Sequence, residues 1–349
     1  MEGKFCLRAF WSLPEAENLA QAARNWKVLD NRPVYALPRG GTTWELLSAL
    51  ADRHAEEIKA LAPQAVVIGS ARGEMTMLFQ AYDAWRSTKA LTPTLSPETS
   101  LGTLASRLAR RLGIQGPAWT VSQTCLSGLV ALYQAALLIR AGAAQRVLFG
   151  AVEAPLHPFF VEAMAALRIY SRQNDFPFVR PLSGENTFAL GEAVALGVLT
   201  EGTDGPFRVE AIHLTTAAPR EGLAFPAVDA EALAAFLREF SAPPDMVFLH
   251  APGTRQGDAA EWQAIRLAWG DVPACAPKAF FGHSLGASPL VSLGLACAFL
   301  RQRRWVTSLP SSKSPAQWQR AVVLALGYGG VMGAIELSYA PSGTDSAHA

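Results

Sequence analysis

Charge is scarce in this sequence, and neither sign dominates. Only 17% of the 349 residues are charged, and the formal net charge is +1. A domain-wide basic surface for nucleic acid is therefore excluded. Cysteine is scarcer still. Cys6, Cys125, Cys275 and Cys297 stand far apart, with no CxxC pair and no zinc-ligand spacing. That argues against a disulfide framework or a metal site, and it suits a reducing, cytoplasmic compartment. The first residues carry Glu2, Lys4 and Arg8 without an unbroken apolar stretch, so no secretory signal is expected. Long apolar runs are nearly missing as well. The uncharged run at 284–300 stops short of the roughly 18 residues of a spanning helix and contains Ser, Gly and Pro. It predicts a buried helix, not a membrane span. Two arginine clusters, Arg107-Arg110-Arg111 and Arg301-Arg303-Arg304, read as solvated helix ends, with docking of an acidic partner as the alternative.

Hydrophobic residues are plentiful at 50%, enough for one large core or two fused lobes. A first strand is expected at 5–11, followed by an irregular stretch to Thr43. Helical spacing covers 44–61, with Thr42 or Thr43 as cap and Glu45 in the first turn. The β-branched run at 65–69 predicts a buried strand. A helix beginning at Ser96 or Thr99 should run to Arg111 and stop at Gly113. A strand and turn at 119–128, an apolar helix, and strands at 146–150 and 192–200 complete a first half. The second half repeats the rhythm: strand 245–250, helix 258–268, an apolar helix after His283, and strands 321–326 and 331–339. The alternation predicts an α/β fold with a mainly parallel sheet covered on both faces. Its recurrence predicts a duplicated unit, with halves at 1–200 and 201–340. The polar tail, 341–349, is expected to be disordered.

Candidate chemistry clusters at strand ends. At 119–128 a β-rich piece breaks at Cys125, and Ser127-Gly128 opens the apolar helix. A thiol at a helix N-terminus meets free backbone N–H groups and the positive end of the dipole, which predicts thiolate character. The competing reading is a buried structural cysteine. His250 and His283 each stand beside glycines that permit close approach by a ligand. Lys278, five residues before His283, is placed to tune its charge. The turn Gly327-Tyr328-Gly329-Gly330 offers N–H groups to an oxyanion. Gly282-His283-Ser284-Leu285-Gly286 also fits the G-x-S-x-G elbow of serine hydrolases. The only later histidine is His348, with Asp345, in a tail too loose to hold a triad, which disfavours hydrolysis.

Five of these segments, in order, resemble the β-ketoacyl-acyl-carrier-protein synthases, condensing enzymes of the thiolase fold. The nucleophile turn C-x-S-G is similar to Cys125-Leu126-Ser127-Gly128. The block H-G-T-G-T-x-x-x-D-x-x-E is similar to His250, Gly253, Thr254, Asp258 and Glu261. K-x-x-x-x-H before a Gly-Ala pair appears as Lys278, His283, Gly286 and Ala287. The R-P to G-E segment is Arg180-Pro181 to Gly191-Glu192, with Phe188, and the terminal G-F-G-G is Gly327 to Gly330. The resemblance spans about 60–340. It implies two pseudo-repeated halves in α-β-α-β-α layers and an acyltransferase of fatty acid or polyketide biosynthesis. Catalytic residues would be Cys125, His250, His283 and Lys278, and the oxyanion hole the N–H groups of Cys125 and Tyr328. Thr254, Phe188, Gly329 and Gly330 would bind substrate. No metal or other cofactor is implied; the partners would be an acyl carrier protein and a second chain in a homodimer or heterodimer. Three departures stand out. Pro252 replaces a threonine, Ser292 a glutamate that pairs with the lysine, and Val331-Met332 a Thr-Asn pair. They leave a second reading open, a chain-length-factor partner of a heterodimeric ketosynthase.

Overall fold

The computed structural model describes residues 1–15, 19–217, 229–309 and 312–341. Most of the polar tail, with Asp345 and His348, lies outside the described residues. Among the described residues are twelve strands: β1 (Glu2–Leu13), β2 (Trp26–Leu29), β3 (Arg32–Tyr35), β4 (Ala65–Gly69), β5 (Ala118–Val121), β6 (Arg146–Glu153), β7 (Ala193–Glu201), β8 (Phe207–Thr216), β9 (Met246–Phe248), β10 (Ala274–Cys275), β11 (Arg320–Gly327) and β12 (Val331–Tyr339). Ten form one hydrogen-bonded sheet in the order β10-β9-β11-β12-β8-β1-β7-β6-β4-β5, while β2 and β3 form a separate hairpin.

The order is symmetric about the β8–β1 contact. Outward from the centre one half reads β1, β7, β6, β4, β5 and the other β8, β12, β11, β9, β10. The strand directions match too. In each half the inner two pairings are antiparallel and the outer two parallel. The duplication expected from the sequence is thus a repeated topology. The sheet is mixed, however, and not mainly parallel. Helix–strand alternation forces parallel pairing only among the outer strands. The long inner strands are joined or paired head to tail, as β11 and β12 are through the short turn at 327–330.

Each half sends one apolar helix inward at the same point in its topology, Ser127–Arg140 after β5 and Ser288–Gln302 after β10. These helices pack on each other and on strands of both halves. Every residue from Ser288 to Leu300 is buried, as a helix apolar all round must be. The run at 284–300 is therefore core, as expected. Outside the sheet, helix Thr43–Arg53 packs on β6 and β7, and Thr103–Leu112 on β4 and β5. Thr42 caps the first of these in a full capping box with Glu45. The result is the layered thiolase-like arrangement.

Some elements differ from expectation. The stretch before Thr43 holds the β2–β3 hairpin, whose Asp30 and Asn31 both take positive φ. The helix over 44–61 breaks at His54, and that near 96–111 is two pieces, Leu95–Thr99 and Thr103–Leu112. In the first arginine cluster, Arg111 forks onto Asp52 at 2.6 Å and Arg107 lies 4.2 Å over the Trp44 ring.

The inner helices reach their positions through missing side chains. A Cβ on Gly69, at the end of β4, would overlap the Ser127 carbonyl, and one on Gly128 would sit 2.9 Å from the Gly286 carbonyl oxygen. Gly69→Ala is therefore expected to destabilise the chain by roughly 1–3 kcal/mol. Urea unfolding should show a lower midpoint; an unchanged midpoint would mean the contact is not constraining.

Candidate active site

Cys125 follows Thr124, whose φ of 48° turns the chain sharply out of β5. The Ser127 hydroxyl closes the turn. It donates to the Thr124 carbonyl at 2.8 Å and accepts from the Gln123 N–H at 3.0 Å. The thiol is buried, and burial pushes its pKa up to about 11. Lys278 and Arg72 pull it down, and Glu153 pushes it further up. Burial thus opposes the thiolate that the helix end favours.

The histidines come from the other half. His250 follows β9, and its N–H and that of Ala251 donate to the Glu261 carboxylate at 2.6 and 2.7 Å. Asp258, one turn earlier on helix Arg255–Trp269, accepts from the Thr254 and Leu182 N–H groups. The Lys278 ammonium donates to the His250 carbonyl and stands 3.4 Å from its Nδ1. His283 Nδ1 accepts from the Leu285 N–H at 3.0 Å. The two imidazoles lie 5.3 Å apart, nearly perpendicular. Burial first, then the Lys278 charge, hold both well below the usual histidine pKa, so both are neutral. Each Nδ1 faces a donor, which leaves the proton on Nε2. Burial lowers the Lys278 pKa and raises that of Glu261, while their mutual attraction opposes both shifts.

Cys125, His250 and His283 line one cavity of about 490 Å³, with Phe188, Thr254 and Tyr328 also in its wall. Phe188 meets His283 edge-on at 5.5 Å. Met164, Leu167, Ile169 and Leu326 supply an apolar side. A thiol and two N–H donors in one cleft can take up an acyl group and hold a developing oxyanion. Among the described residues, no group of three His, Cys, Asp or Glu side chains could hold a metal ion.

Gly329 and Gly330 do not join this wall. They take positive φ in the turn past Tyr328, and the Gly330 carbonyl accepts from the Ala217 N–H. Gly327 does matter at the site, since a Cβ there would lie 2.5 Å from Thr124 Oγ1. Of the departures, Pro252 lines the cavity, Ser292 is buried within its helix, and Val331 and Met332 open β12. Ser284 is buried at 2% exposure with its hydroxyl 3.2 Å from that of Ser288, not raised on an elbow.

Two groups near the thiol were not anticipated. Glu153 ends β6 fully buried. It accepts from the Ala71 N–H, and burial pushes its carboxyl up to about 8. Arg72 lies 4.8 Å over the Phe160 ring. A carboxylate closing an apolar strand run was the available signal for Glu153.

Residues 42–205 match the beta-ketoacyl synthase N-terminal domain family, and residues 212–311 the C-terminal domain family. A Streptomyces cyaneus protein described as polyketide beta-ketoacyl synthase 1 is 30% identical over 78% of this chain and 75% of its own length. The tetracenomycin polyketide synthase ketoacyl synthase alpha subunit of Streptomyces glaucescens is 33% identical over 56% of this chain. The match spans about half of that relative, 50%. A chain of the ketosynthase–chain length factor complex of Xenorhabdus doucetiae superposes with a TM-score of 0.78 over 97% of this chain and 98% of its own, at 18% identity. By these family matches, which together cover most of its length, the chain belongs to the beta-ketoacyl synthase family.

Proposed function

We propose that the chain is a condensing enzyme that joins an acyl group to a malonyl-derived unit, with both substrates carried as thioesters on acyl carrier protein. The observation that supports this best is the pair of neutral imidazoles, 5.3 Å apart, lining one cavity with the only thiol there. In the first step the Cys125 sulfur attacks the acyl thioester carbonyl. The bond to the carrier sulfur breaks, and the carrier leaves as its thiol with the proton given up by Cys125. The N–H groups of Cys125 and Tyr328 hold the oxyanion. In the second step the Nε2–H groups of His250 and His283 hold the malonyl thioester carbonyl. Its C–CO₂ bond breaks, carbon dioxide departs, and the electron pair stays on the α-carbon. That carbon attacks the acyl thioester, and the Cys125 sulfur leaves as a thiolate that takes a proton from solvent. Lys278 keeps His250 neutral and oriented. Phe188 and Thr254 flank the bound arm.

The second reading, a chain-length-factor partner, draws on the solved ketosynthase–chain length factor pairs and on the departures at Pro252, Ser292 and Val331-Met332. The retained cysteine and both histidines favour the synthase. In either role a second chain would meet the open edge of β5, where Trp119 is 45% exposed.

Two outcomes follow. The purified chain, given acyl- and malonyl-carrier protein, should form acyl-Cys125 and a β-ketoacyl product, both read by mass spectrometry. Cys125→Ala should abolish loading, and His250→Ala or His283→Ala should slow decarboxylation roughly 100-fold or more. Loading without product, restored by an added ketosynthase, would favour the partner role. Second, iodoacetamide alkylation of Cys125 should accelerate about tenfold per pH unit from pH 7 toward 10. Lys278→Met should slow it most below about pH 8, where the charged lysine pulls the thiol pKa down, and progressively less above. A rate that levels off below pH 8 would show a thiolate at rest.

A further inference from the structure

We propose that Ser288, backed by Ser284, is a positioning residue that fixes His283 as an Nε2–H donor and strengthens that donor. The proposal rests on His283 acting on the malonyl carbonyl, and it adds residues that neither the motifs nor the reaction require.

Ser288 opens the inner helix Ser288–Gln302 and is 4% exposed. Its Oγ lies 3.0 Å from His283 Nδ1, and the Ser284 Oγ lies 3.2 Å beyond it. Hydroxyl hydrogens rotate, so these distances alone leave the directions open. The Leu285 N–H fixes them. A backbone hydrogen cannot turn away, and it points at Nδ1 from 3.0 Å. Nδ1 is therefore an acceptor, and the Ser288 hydroxyl beside it donates. The Ser288 oxygen is then free to accept from Ser284. The chain runs from the Ser284 hydroxyl to the Ser288 hydroxyl to Nδ1.

Such a chain does two things. Donors on the Nδ1 lone pair oppose its protonation, and they draw electron density from the ring, which makes Nε2–H a better donor. His250 reaches the same state differently. Its Nδ1 faces the Lys278 ammonium, not a hydroxyl. One imidazole is thus polarised by a cation that can lose its proton, the other by neutral hydroxyls that keep theirs across the working range. The titratable neighbours of His283 are His250 and Lys278, with Cys125 across the cavity.

The test uses the full chain labelled with ¹⁵N-histidine. In the wild type, His283 should show the Nε2–H tautomer from pH 6 to 8. In Ser288→Ala its apparent pKa should rise by roughly half a unit, about a threefold change in the protonation equilibrium. Ser284→Ala should give a smaller shift of the same sign, and Ser288→Cys, a weak donor, an intermediate one. The kcat for malonyl decarboxylation should fall about threefold to tenfold in Ser288→Ala. KM and Cys125 acylation should stay within about twofold. The signals of His54 and His157, neither of which lines the cavity, report that each variant is folded. An His283 titration identical in wild type and Ser288→Ala would overturn the proposal. The shift without any decarboxylation by the wild type would uphold the hydroxyl chain and overturn the condensing reading.

Discussion

The structure depends on how closely two helix N-termini can approach. Helix Ser127–Arg140 carries the nucleophile turn of one half, and helix Ser288–Gln302 begins just past the second histidine of the other. They meet where side chains are missing. A Cβ on Gly286 would crowd Ser127 Cβ at 2.8 Å, the Ala71 nitrogen at 2.9 Å and the Glu153 carboxylate at 2.7 Å. Gly128 meets the Gly286 carbonyl from the other side. A shift of even 1 Å at this contact would separate the thiol from the imidazoles, and catalytic geometry tolerates less than that. The duplicated topology thus does more than enlarge the core. It places a turn from each half against the other, so that neither half holds a complete site.

The same packing buries the ionisable groups of the site, and their pKa values shift accordingly. Burial raises those of the Cys125 thiol and the Glu153 carboxyl and holds both histidines well below the usual value. Arg168, Arg255 and Glu261 carry the fixed charges of the cavity wall, and Lys278 stands behind His250. Lys278 also has partners without a carboxylate at Ser292. The lysine has the His250 carbonyl as acceptor, and Glu261 and Asp258 act on it from helix Arg255–Trp269. A buried cation with those neighbours is not left uncompensated.

Much of this was legible in the chain, for identifiable reasons. β4 and β12 were read end to end because β-branched runs bounded by turn residues leave few alternatives. Cys125, His250 and His283 announced themselves because each stands near glycine; Cys125 and His250 also follow strands, whereas His283 follows the short helix Lys278–Phe281. β8 was missed. Its buried Phe207, Val209 and Ala211 alternate with Arg208 and Glu210, and the polar members mask a strand that is central to the sheet. Strand direction was misread because periodicity is the same in parallel and antiparallel pairs. The burial that opposes a thiolate was not legible, because a helix end is visible in local sequence whereas burial depends on the opposite half of the fold. The hydroxyls of Ser284 and Ser288 were invisible for the same reason, since serines at a helix start usually cap it.

Where the departures from the family pattern fall bears on whether chemistry survives. Val331 and Met332 are buried at the start of β12, paired with Thr216 and Thr215, so they belong to the sheet. Ser292 lies inside the inner helix. Only Pro252 touches the cavity, and it removes a hydroxyl and an N–H from its wall without touching the thiol or either imidazole. Losses of that kind weaken the grip on a bound thioester. The reacting sulfur and the two N–H donors would still act on it once it is held. Two of the three changes thus lie in the frame and one in the cavity wall, an arrangement in keeping with the synthase proposed above.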